Sequence, residues 1–255
     1  MGRNAAGISP RFPLQLVDAV IFDMDGVVTE TVPVHMAAWK RLFNEYLEVR
    51  AAAGGEAFRP FDAVDYRRFV DGRPRYDGVR SFLESRGIHL PHGEPTDPPE
   101  RETVCGLGNR KNAAFLASIA EQGVRAYPTT VEFIRHLRAA GCRVAVISAS
   151  ENASEVLRAA GVRGEFRVKV DGSDAARLGL PGKPDPAVFV EAARRLGVPV
   201  GRTAVVEDAL AGVEAARRGA FPVVVGVDRE GSGSALAASG ATLVVRDLGE
   251  LLAGD

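Results

Sequence analysis

Two aspartates directly follow a short apolar run near the start of the chain. The run Val20–Phe22 precedes Asp23 and Asp25. Such a run is typical of a strand buried in a parallel sheet, and open α/β sheets bind ligands at the carboxyl ends of their strands. Two carboxylates this close repel unless a cation lies between them or one is protonated, which predicts a Mg²⁺ site with one nucleophilic and one proton-transferring acid. On these residues alone, a turn with two solvated acids is an equal alternative.

A cluster of hydroxyl and amide side chains follows a second apolar run, residues 143–147. It contains Ser148, Ser150 and Asn152, and a helical pattern comes after it. A hydroxyl at a strand end, followed by the amides of a helix start, could bind phosphate. Ser150 or Asn152 could also simply cap the helix.

Two further polar clusters follow in the second half of the chain. Lys183 lies in a loop flanked by prolines, and Glu207 and Asp208 end the apolar run 203–206. The lysine could offset charge on a transferring phosphoryl group, although a single loop lysine is usually solvated. The two acids could complete an oxygen-rich cation site, or they could only interact favourably with a helix dipole.

In this order, the four motifs resemble those of the haloacid dehalogenase (HAD) superfamily of phosphotransferases, and specifically its β-phosphoglucomutase branch. They read D-M-D-G-V from Asp23, I-S-A-S from Ile147, G-K-P-D-P from Gly182 and E-D from Glu207. The resemblance extends from about residue 17 to 252. It implies an α/β fold, a doubly wound parallel sheet with a HAD-like Rossmannoid core, into which an α-helical cap domain is inserted.

The resemblance also implies the roles of the residues in the four motifs. Asp23 would carry the phosphoryl group, Asp25 would be the general acid and base, and Ser148 and Lys183 would balance charge on the phosphoryl oxygens. The metal would be Mg²⁺. Its site would consist of the Asp23 and Asp208 carboxylates and the Asp25 main-chain carbonyl, supported by Glu207.

Other segments resemble the substrate-binding parts of the mutases in this superfamily. Thr31, His35 and Trp39 would contact the substrate or the proton-transferring acid, although Trp39 and His35 could be ordinary core residues of a helix. The remaining substrate-binding residues implied by the resemblance are Gly72, Arg75, Lys111, Ser150 and Asn152. One position departs from the family, because mutases can have a lysine where this chain has Glu151. A carboxylate there would repel a phosphate.

The pattern of apolar residues indicates a core that is interrupted by a helical segment. We expect the core domain to comprise residues 1–32 and 128–255, with residues 1–15 as a loose N-terminal arm. The cap would comprise residues 33–127, with hinges near its two ends. The segment 91–99, rich in proline and glycine, is predicted to be an exposed loop.

The resemblance implies a β-phosphoglucomutase that interconverts β-glucose 1-phosphate and glucose 6-phosphate through glucose 1,6-bisphosphate. The same-fold alternative is a phosphatase acting on a sugar phosphate or cyclitol phosphate. A binding module without catalysis would have lost Asp23, Asp25, Lys183 or Asp208, and all four are present. Phosphonate or haloacid chemistry would need a lysine from the cap, and Lys111 leaves that alternative open.

Composition fits a small-molecule enzyme. The chain has 255 residues and a net charge of −1, so it lacks the basic field of a nucleic-acid-binding protein and its partner should be a small molecule. The resemblance implies that this molecule is a sugar phosphate. The two cysteines show neither metal spacing nor a disulfide framework, which fits a reducing compartment. No apolar run approaches the roughly 20 residues of a membrane span. We therefore expect a cytoplasmic monomer without a membrane partner.

Overall fold

A parallel sheet of six strands lies at the centre of the structure, a computed structural model that describes residues 11–54, 58–229 and 231–252. The strands are β1 (Ala19–Asp23), β2 (Arg143–Ile147), β3 (Val168–Val170), β4 (Thr203–Glu207), β5 (Val223–Val227) and β6 (Leu243–Val245). Their order in the sheet is β3-β2-β1-β4-β5-β6. From β1 the chain adds β2 and β3 on one side of the sheet, and it then crosses to add β4 on the other side of β1. Doubly wound folds form their binding crevice at such a switch in strand order.

Ten α-helices surround or extend from this sheet in the described residues. They are α1 (Val32–Gly54), α2 (Ala63–Asp65), α3 (Arg75–Ser85), α4 (Val104–Gln122), α5 (Pro128–Ala139), α6 (Ala153–Ala159), α7 (Gly172–Leu178), α8 (Ala187–Leu196), α9 (Leu210–Arg218) and α10 (Gly233–Ser239). A π-helical turn (Tyr66–Val70) follows α2. Within the described part of the chain, no helix is long and apolar enough to cross a membrane.

Both faces of the sheet are covered by apolar packing. In β1, Val20 and Phe22 belong to one hydrophobic cluster, whereas Ala19 and Ile21 belong to the cluster on the opposite face. All five residues of this strand are buried, as expected for a central parallel strand with helices on both sides. The predicted doubly wound parallel sheet is therefore confirmed.

Helices α1 to α4 lie between β1 and β2 in the chain, and we call residues 32–122 the helical insertion. Its interior contains a cluster of stacked and tilted aromatic rings separate from the packing of the sheet. Phe43 is central to it, with ring centroids 4.1 Å from Phe82, 5.1 Å from Phe61 and 5.3 Å from Trp39. The insertion thus has a hydrophobic core of its own. The predicted domain boundaries stay a prediction.

The two segments that connect the insertion to the sheet are hydrogen-bonded to each other. The Glu30 amide donates to the Arg125 carbonyl over 2.9 Å, and the Tyr127 amide donates to the Val28 carbonyl over 3.0 Å. The predicted hinges lie in or next to these paired segments. Because both connections are joined by backbone hydrogen bonds, a movement of one connection would pull on the other.

The predicted loose N-terminal arm is wrong for its last residues. Phe12 is buried, and its ring packs edge-on against Phe133 with centroids 5.3 Å apart. A short 3-10 helix follows at Leu14–Leu16. Because the segment contains many polar residues and prolines, its sequence pattern does not show that one aromatic residue, Phe12, packs on the core. Residues 1–10 of the predicted arm lie outside the described residues.

Candidate active site

Strand β1 delivers Asp23 to the crevice between β1 and β4, where a buried lysine contacts it. Lys183 Nζ donates to Asp23 Oδ1 over 2.5 Å and lies 3.1 and 3.2 Å from the two carboxylate oxygens of Glu207. Burial alone would lower the pKa of Lys183, but the two carboxylates outweigh it and raise that pKa. Lys183 is therefore charged, and it links the ends of β1 and β4.

A third acid, Asp208, lies in the same crevice. Ligand oxygens of Asp23, Glu207 and Asp208 all lie within 4.8 Å of one another. Burial, and then the charge of neighbouring carboxylates, raises the pKa of Asp208 and raises the pKa of Glu207 to about 8. One lysine cannot neutralise three carboxylates, of which those of Asp23 and Glu207 are buried. A divalent cation with oxygen ligands would relieve this repulsion, so the residues present fit Mg²⁺.

The loop after β1 approaches Asp208 so closely that only glycine fits at position 26. Gly26 has φ of 81°, and a Cβ there would collide with the Asp208 carboxylate. The side chain of Asp25 does not belong to the cluster of three acids. The proposed metal contact of Asp25 through its main-chain carbonyl stays a prediction.

Asp25 is held by a separate set of polar groups. Its carboxylate accepts hydrogen bonds from Thr31 Oγ1 and, over 3.1 Å, from Ser148 Oγ. His35 Nε2 lies 3.4 Å from Asp25 Oδ1, in a geometry that makes an electrostatic contact and not a hydrogen bond. Burial alone would raise the pKa of Asp25, but His35 and the two hydroxyl donors lower it to about 2. Asp25 is therefore ionised and can accept a proton.

A lysine of the helical insertion contacts the other ring nitrogen of His35. Lys111 Nζ is 2.7 Å from His35 Nδ1, and it lies 4.6 Å from the ring centre of Phe115 and 4.9 Å from that of Trp39. His35 itself stacks on Phe115 with centroids 4.0 Å apart. Burial lowers the pKa of Lys111 to about 7. The insertion thus presents a chain of contacts from Lys111 through His35 to Asp25.

These groups surround a cavity of about 520 Å³ between the sheet edge and the helical insertion. The predicted site residues that line it are Asp23, Asp25, His35, Trp39, Gly72, Arg75, Lys111, Ser148, Ser150, Lys183, Glu207 and Asp208. Two other predicted substrate-binding residues are not among the described lining residues. Thr31 donates a hydrogen bond to the Asp25 carboxylate. Asn152 donates over 2.6 Å to Asn112 Oδ1, and Asn112 does line the cavity.

The cavity also contains an ion pair between the insertion and the core. Arg75, the first residue of α3, pairs through Nη2 with Glu151, which lies in the loop after β2. The other Nη atom of Arg75 donates to Asn109 Oδ1 over 3.1 Å. The sequence alone predicts only that Glu151 repels a phosphate. In the structure Glu151 has a partner, Arg75, which is one of the residues expected to bind the substrate.

The sequence analysis assigned no role to two further cavity residues, Asp71 and Tyr66. Both line the cavity from the insertion side. Burial raises the pKa of Asp71 to about 6, against the opposing charge of Lys183. A single acid next to a glycine is common in turns, so the sequence carried no signal that could have distinguished Asp71 from a solvated residue.

Comparison with known proteins places these residues in a family. A family model of haloacid dehalogenase-like hydrolases matches residues 17–219. A β-phosphoglucomutase of Mycobacterium bovis is 46% identical over 240 residues, which are 92% of each chain. A Mycobacterium tuberculosis protein named as an uncharacterized glycosyl hydrolase is 41% identical over 251 residues, which are 98% of this chain but 19% of that protein.

The fold comparison agrees with the sequence comparison. The crystal structure of a β-phosphoglucomutase from Clostridium difficile has a TM-score of 0.73 at 24% identity, covering 92% of this chain and 93% of that one. This likeness shows a common fold. The chain therefore belongs to the haloacid dehalogenase-like hydrolase family and is an enzyme of its β-phosphoglucomutase-like branch.

Proposed function

We propose that the protein is a Mg²⁺-dependent phosphotransferase that acts through an aspartyl-phosphate at Asp23, and that it is a β-phosphoglucomutase. The observation that carries the proposal is the separate support of two neighbouring acids. Asp23 faces Lys183 and the acidic cluster, whereas Asp25 faces hydroxyl groups and His35. Two acids in different environments can take different roles, one as nucleophile and one as proton carrier. The similarity to the Mycobacterium bovis enzyme supports the choice of substrate.

In the first half of the reaction, an Asp23 carboxylate oxygen attacks the phosphorus of glucose 1,6-bisphosphate. The bond between phosphorus and the sugar oxygen breaks, and Asp25, protonated at that stage, returns the proton to this oxygen. Lys183 and Ser148 balance charge on the phosphoryl oxygens. Bound to the Asp23 and Asp208 carboxylates and the Asp25 main-chain carbonyl, with Glu207 in support, Mg²⁺ would neutralise further negative charge there.

In the second half, a molecule of β-glucose 1-phosphate presents its 6-hydroxyl to the phosphorylated Asp23. Asp25, now ionised, takes the proton from the 6-hydroxyl of β-glucose 1-phosphate, and that oxygen accepts the phosphoryl group. The bisphosphate then returns its 1-phosphate to Asp23, and glucose 6-phosphate leaves. Asp25 is ionised in the structure, with its pKa lowered to about 2, and an ionised carboxylate has an unprotonated oxygen that can accept this proton.

An aspartyl-phosphate can be transferred to a sugar or hydrolysed by water. The cavity between the sheet and the insertion would exclude water from Asp23 while a sugar is bound. The aromatic and aliphatic parts of the insertion wall, such as Trp39 and Val70, support this exclusion. Transfer to a sugar would then be faster than hydrolysis.

A ³¹P NMR time course tests the proposal. The protein is incubated with Mg²⁺, β-glucose 1-phosphate and a trace of glucose 1,6-bisphosphate. We expect glucose 6-phosphate to accumulate without a matching rise of inorganic phosphate. Asp25→Asn is a matched control, because it keeps the shape of the site but removes the proton carrier and should stop both products.

A phosphatase is the second candidate, and the pairing of Arg75 with Glu151 favours it. A mutase must hold a second phosphate far from Asp23, and an arginine already paired with a carboxylate is a weaker site for it. In the same NMR experiment, inorganic phosphate as the main product would replace the mutase assignment with this one. Absence of both products would contradict phosphoryl transfer from this sugar phosphate.

A further inference from the structure

The end of the cavity at Arg75 contains a positive charge that already has two partners. Arg75 Nη1 donates to Asn109 Oδ1, and Nη2 pairs with Glu151. The Arg75 side chain is 16% exposed, whereas that of Glu151 is 44% exposed. Any anionic group that enters this end of the cavity therefore meets an arginine whose charge is offset by a residue of the protein itself.

Of these two partners, Asn109 is the fixed one. Its side-chain amide donates to the Asp97 carbonyl over 2.8 Å and to the Pro95 carbonyl over 3.0 Å. These bonds orient Oδ1, which accepts from both Arg75 and the Tyr76 hydroxyl. Asn109 thus holds one edge of the guanidinium whether or not Glu151 is paired.

The loop that supplies these carbonyls is itself held in place by side-chain hydrogen bonds. Asp97 is buried, and its carboxylate accepts from Thr103 Oγ1 over 2.7 Å and from Arg101 Nη1 over 2.6 Å. The segment 91–99 was predicted as an exposed loop, and most of its residues are exposed. Its folded turn nevertheless fixes Asn109, and through it the position of Arg75.

Glu151 is the exchangeable partner. It is nearly half exposed, and its only described side-chain partner is Arg75. Partly exposed ion pairs contribute little to stability, so this pair is weak enough to be replaced. A phosphate dianion carries more charge than a carboxylate and can accept the same guanidinium hydrogen bonds.

We infer that Glu151 is a specificity-determining residue that competes, from within the protein, with the second anionic group of a substrate for Arg75. This inference rests on the proposed function, in which a sugar bisphosphate has one phosphate at Asp23 and the other at this end of the cavity. On binding, the second phosphate displaces Glu151 from Nη2 while Asn109 keeps Nη1. When Asp23 is not phosphorylated, a substrate with one anionic group has that group at Asp23 and leaves the pair intact.

The contact between insertion and core makes this competition direct. Gly182, next to Lys183, lies so close to Pro74, the residue before Arg75, that a Cβ at position 182 would be 2.7 Å from Pro74 Cδ. The chain around Arg75 is thus docked against the core, and Asn109 holds Nη1 of the arginine. A bound anion and Glu151 therefore compete for the same guanidinium edge.

The test measures binding without turnover. In an Asp23→Asn background with Mg²⁺, isothermal titration calorimetry compares glucose 1,6-bisphosphate with phenyl phosphate, which has one anionic group. Adding Glu151→Gln should tighten bisphosphate binding roughly tenfold, because a competing unit charge next to the anion is removed. Phenyl phosphate should bind within about twofold of the parent. Glu155→Gln is the matched control, since Glu155 is an exposed acid of α6 paired only locally with Arg158.

A second background separates competition for Arg75 from general repulsion. In Asp23→Asn/Arg75→Met, the Glu151→Gln change should alter bisphosphate affinity by less than about twofold, because no guanidinium remains to compete for. An equal gain with and without Arg75 would overturn the inference. So would an equal gain for phenyl phosphate, unchanged bisphosphate binding, or no bisphosphate binding in any variant. Failure of the proposed function is read separately, as inorganic phosphate in the ³¹P NMR assay of the wild-type protein.

Discussion

The two walls of the cavity hold their charged groups in different ways. On the sheet side, the side chains of Lys183, Asp23 and Glu207 are only 5%, 8% and 1% exposed, and they bind one another at the ends of β1 and β4. On the insertion side, Arg75 reaches across to a half-exposed carboxylate, Glu151. Buried charges on strand ends keep one geometry, whereas a partly exposed pair can be exchanged.

This difference fits a division of labour. The sheet wall contains the groups that would make and break the bond to phosphorus, and these need fixed positions. The insertion wall contains groups that would recognise the rest of the substrate and adjust the proton carrier. A charge that is exchanged on binding is useful for selection but would be harmful at the reacting atoms. The predictions below test this division.

The largest effect is expected on the sheet wall, at the nucleophile. Asp23→Asn should lower turnover by at least about four orders of magnitude, because no aspartyl-phosphate can form. The measurement is the rate of glucose 6-phosphate formation from β-glucose 1-phosphate. Asp18→Asn is the control, since Asp18 lies just before the same strand and pairs with Arg202 at the surface. Activity within tenfold of wild type in Asp23→Asn would contradict the assignment of the nucleophile.

The next effect concerns the buried lysine of the same wall. Without Mg²⁺, Lys183→Met should lower the free energy of unfolding by about 3 kcal/mol, because Asp23 and Glu207 lose their buried partner. Urea unfolding followed by circular dichroism measures this change. Lys40→Met removes an exposed lysine of α1 and should change stability by less than about 0.5 kcal/mol. Equal stability of the two variants would show that the sheet wall is not held by this lysine.

The sheet wall could largely be predicted from the sequence, and the insertion wall only in part. Each residue of the sheet wall that we propose as catalytic follows an apolar run or lies in a proline-flanked loop, and parallel strands bring such ends to one edge. By contrast, Lys111 meets His35, and Glu151 meets Arg75, across 76 residues in each case. The first pair depends on how α1 packs on α4 within the insertion, and the second on how the insertion packs on the core. No local pattern encodes either packing.

The prediction for Lys111 tests whether the insertion wall acts on proton transfer and not on the phosphorus. Lys111→Met should slow transfer to the sugar about 10- to 100-fold, because His35 loses the group that holds it beside Asp25. The rate at which Asp23 is phosphorylated by acetyl phosphate, whose leaving group needs no proton, should change less than about threefold. Rapid-quench measurements separate the two rates, with Lys40→Met as the control. Equal losses in both rates would place Lys111 among the groups that serve the phosphorus.

The smallest effect is a pH dependence of stability that comes from the same lysine. In the folded protein burial lowers the pKa of Lys111 to about 7, whereas in the unfolded chain it should be near 10.5. Between these values the unfolded state binds one more proton, so the free energy of unfolding rises with pH by up to about 1.4 kcal/mol per unit. This pH dependence is absent below pH 7, because Lys111 is then protonated in both the folded and the unfolded state.

The difference in the free energy of unfolding between the wild-type protein and Lys111→Met isolates the contribution of Lys111 from those of all other titrating groups, including Glu207. Urea unfolding at pH 7.5 and 9.0 should show wild-type stability rising by about 1 to 2 kcal/mol relative to Lys111→Met over this interval. Lys40→Met should show no such trend, because its lysine is exposed. A relative stability that is flat or falls with pH would mean that Lys111 stays charged in the folded protein. The insertion wall would then hold a fixed charge beside His35, as the sheet wall does at Asp23, and the contrast between the two walls would be confined to the pair of Arg75 and Glu151.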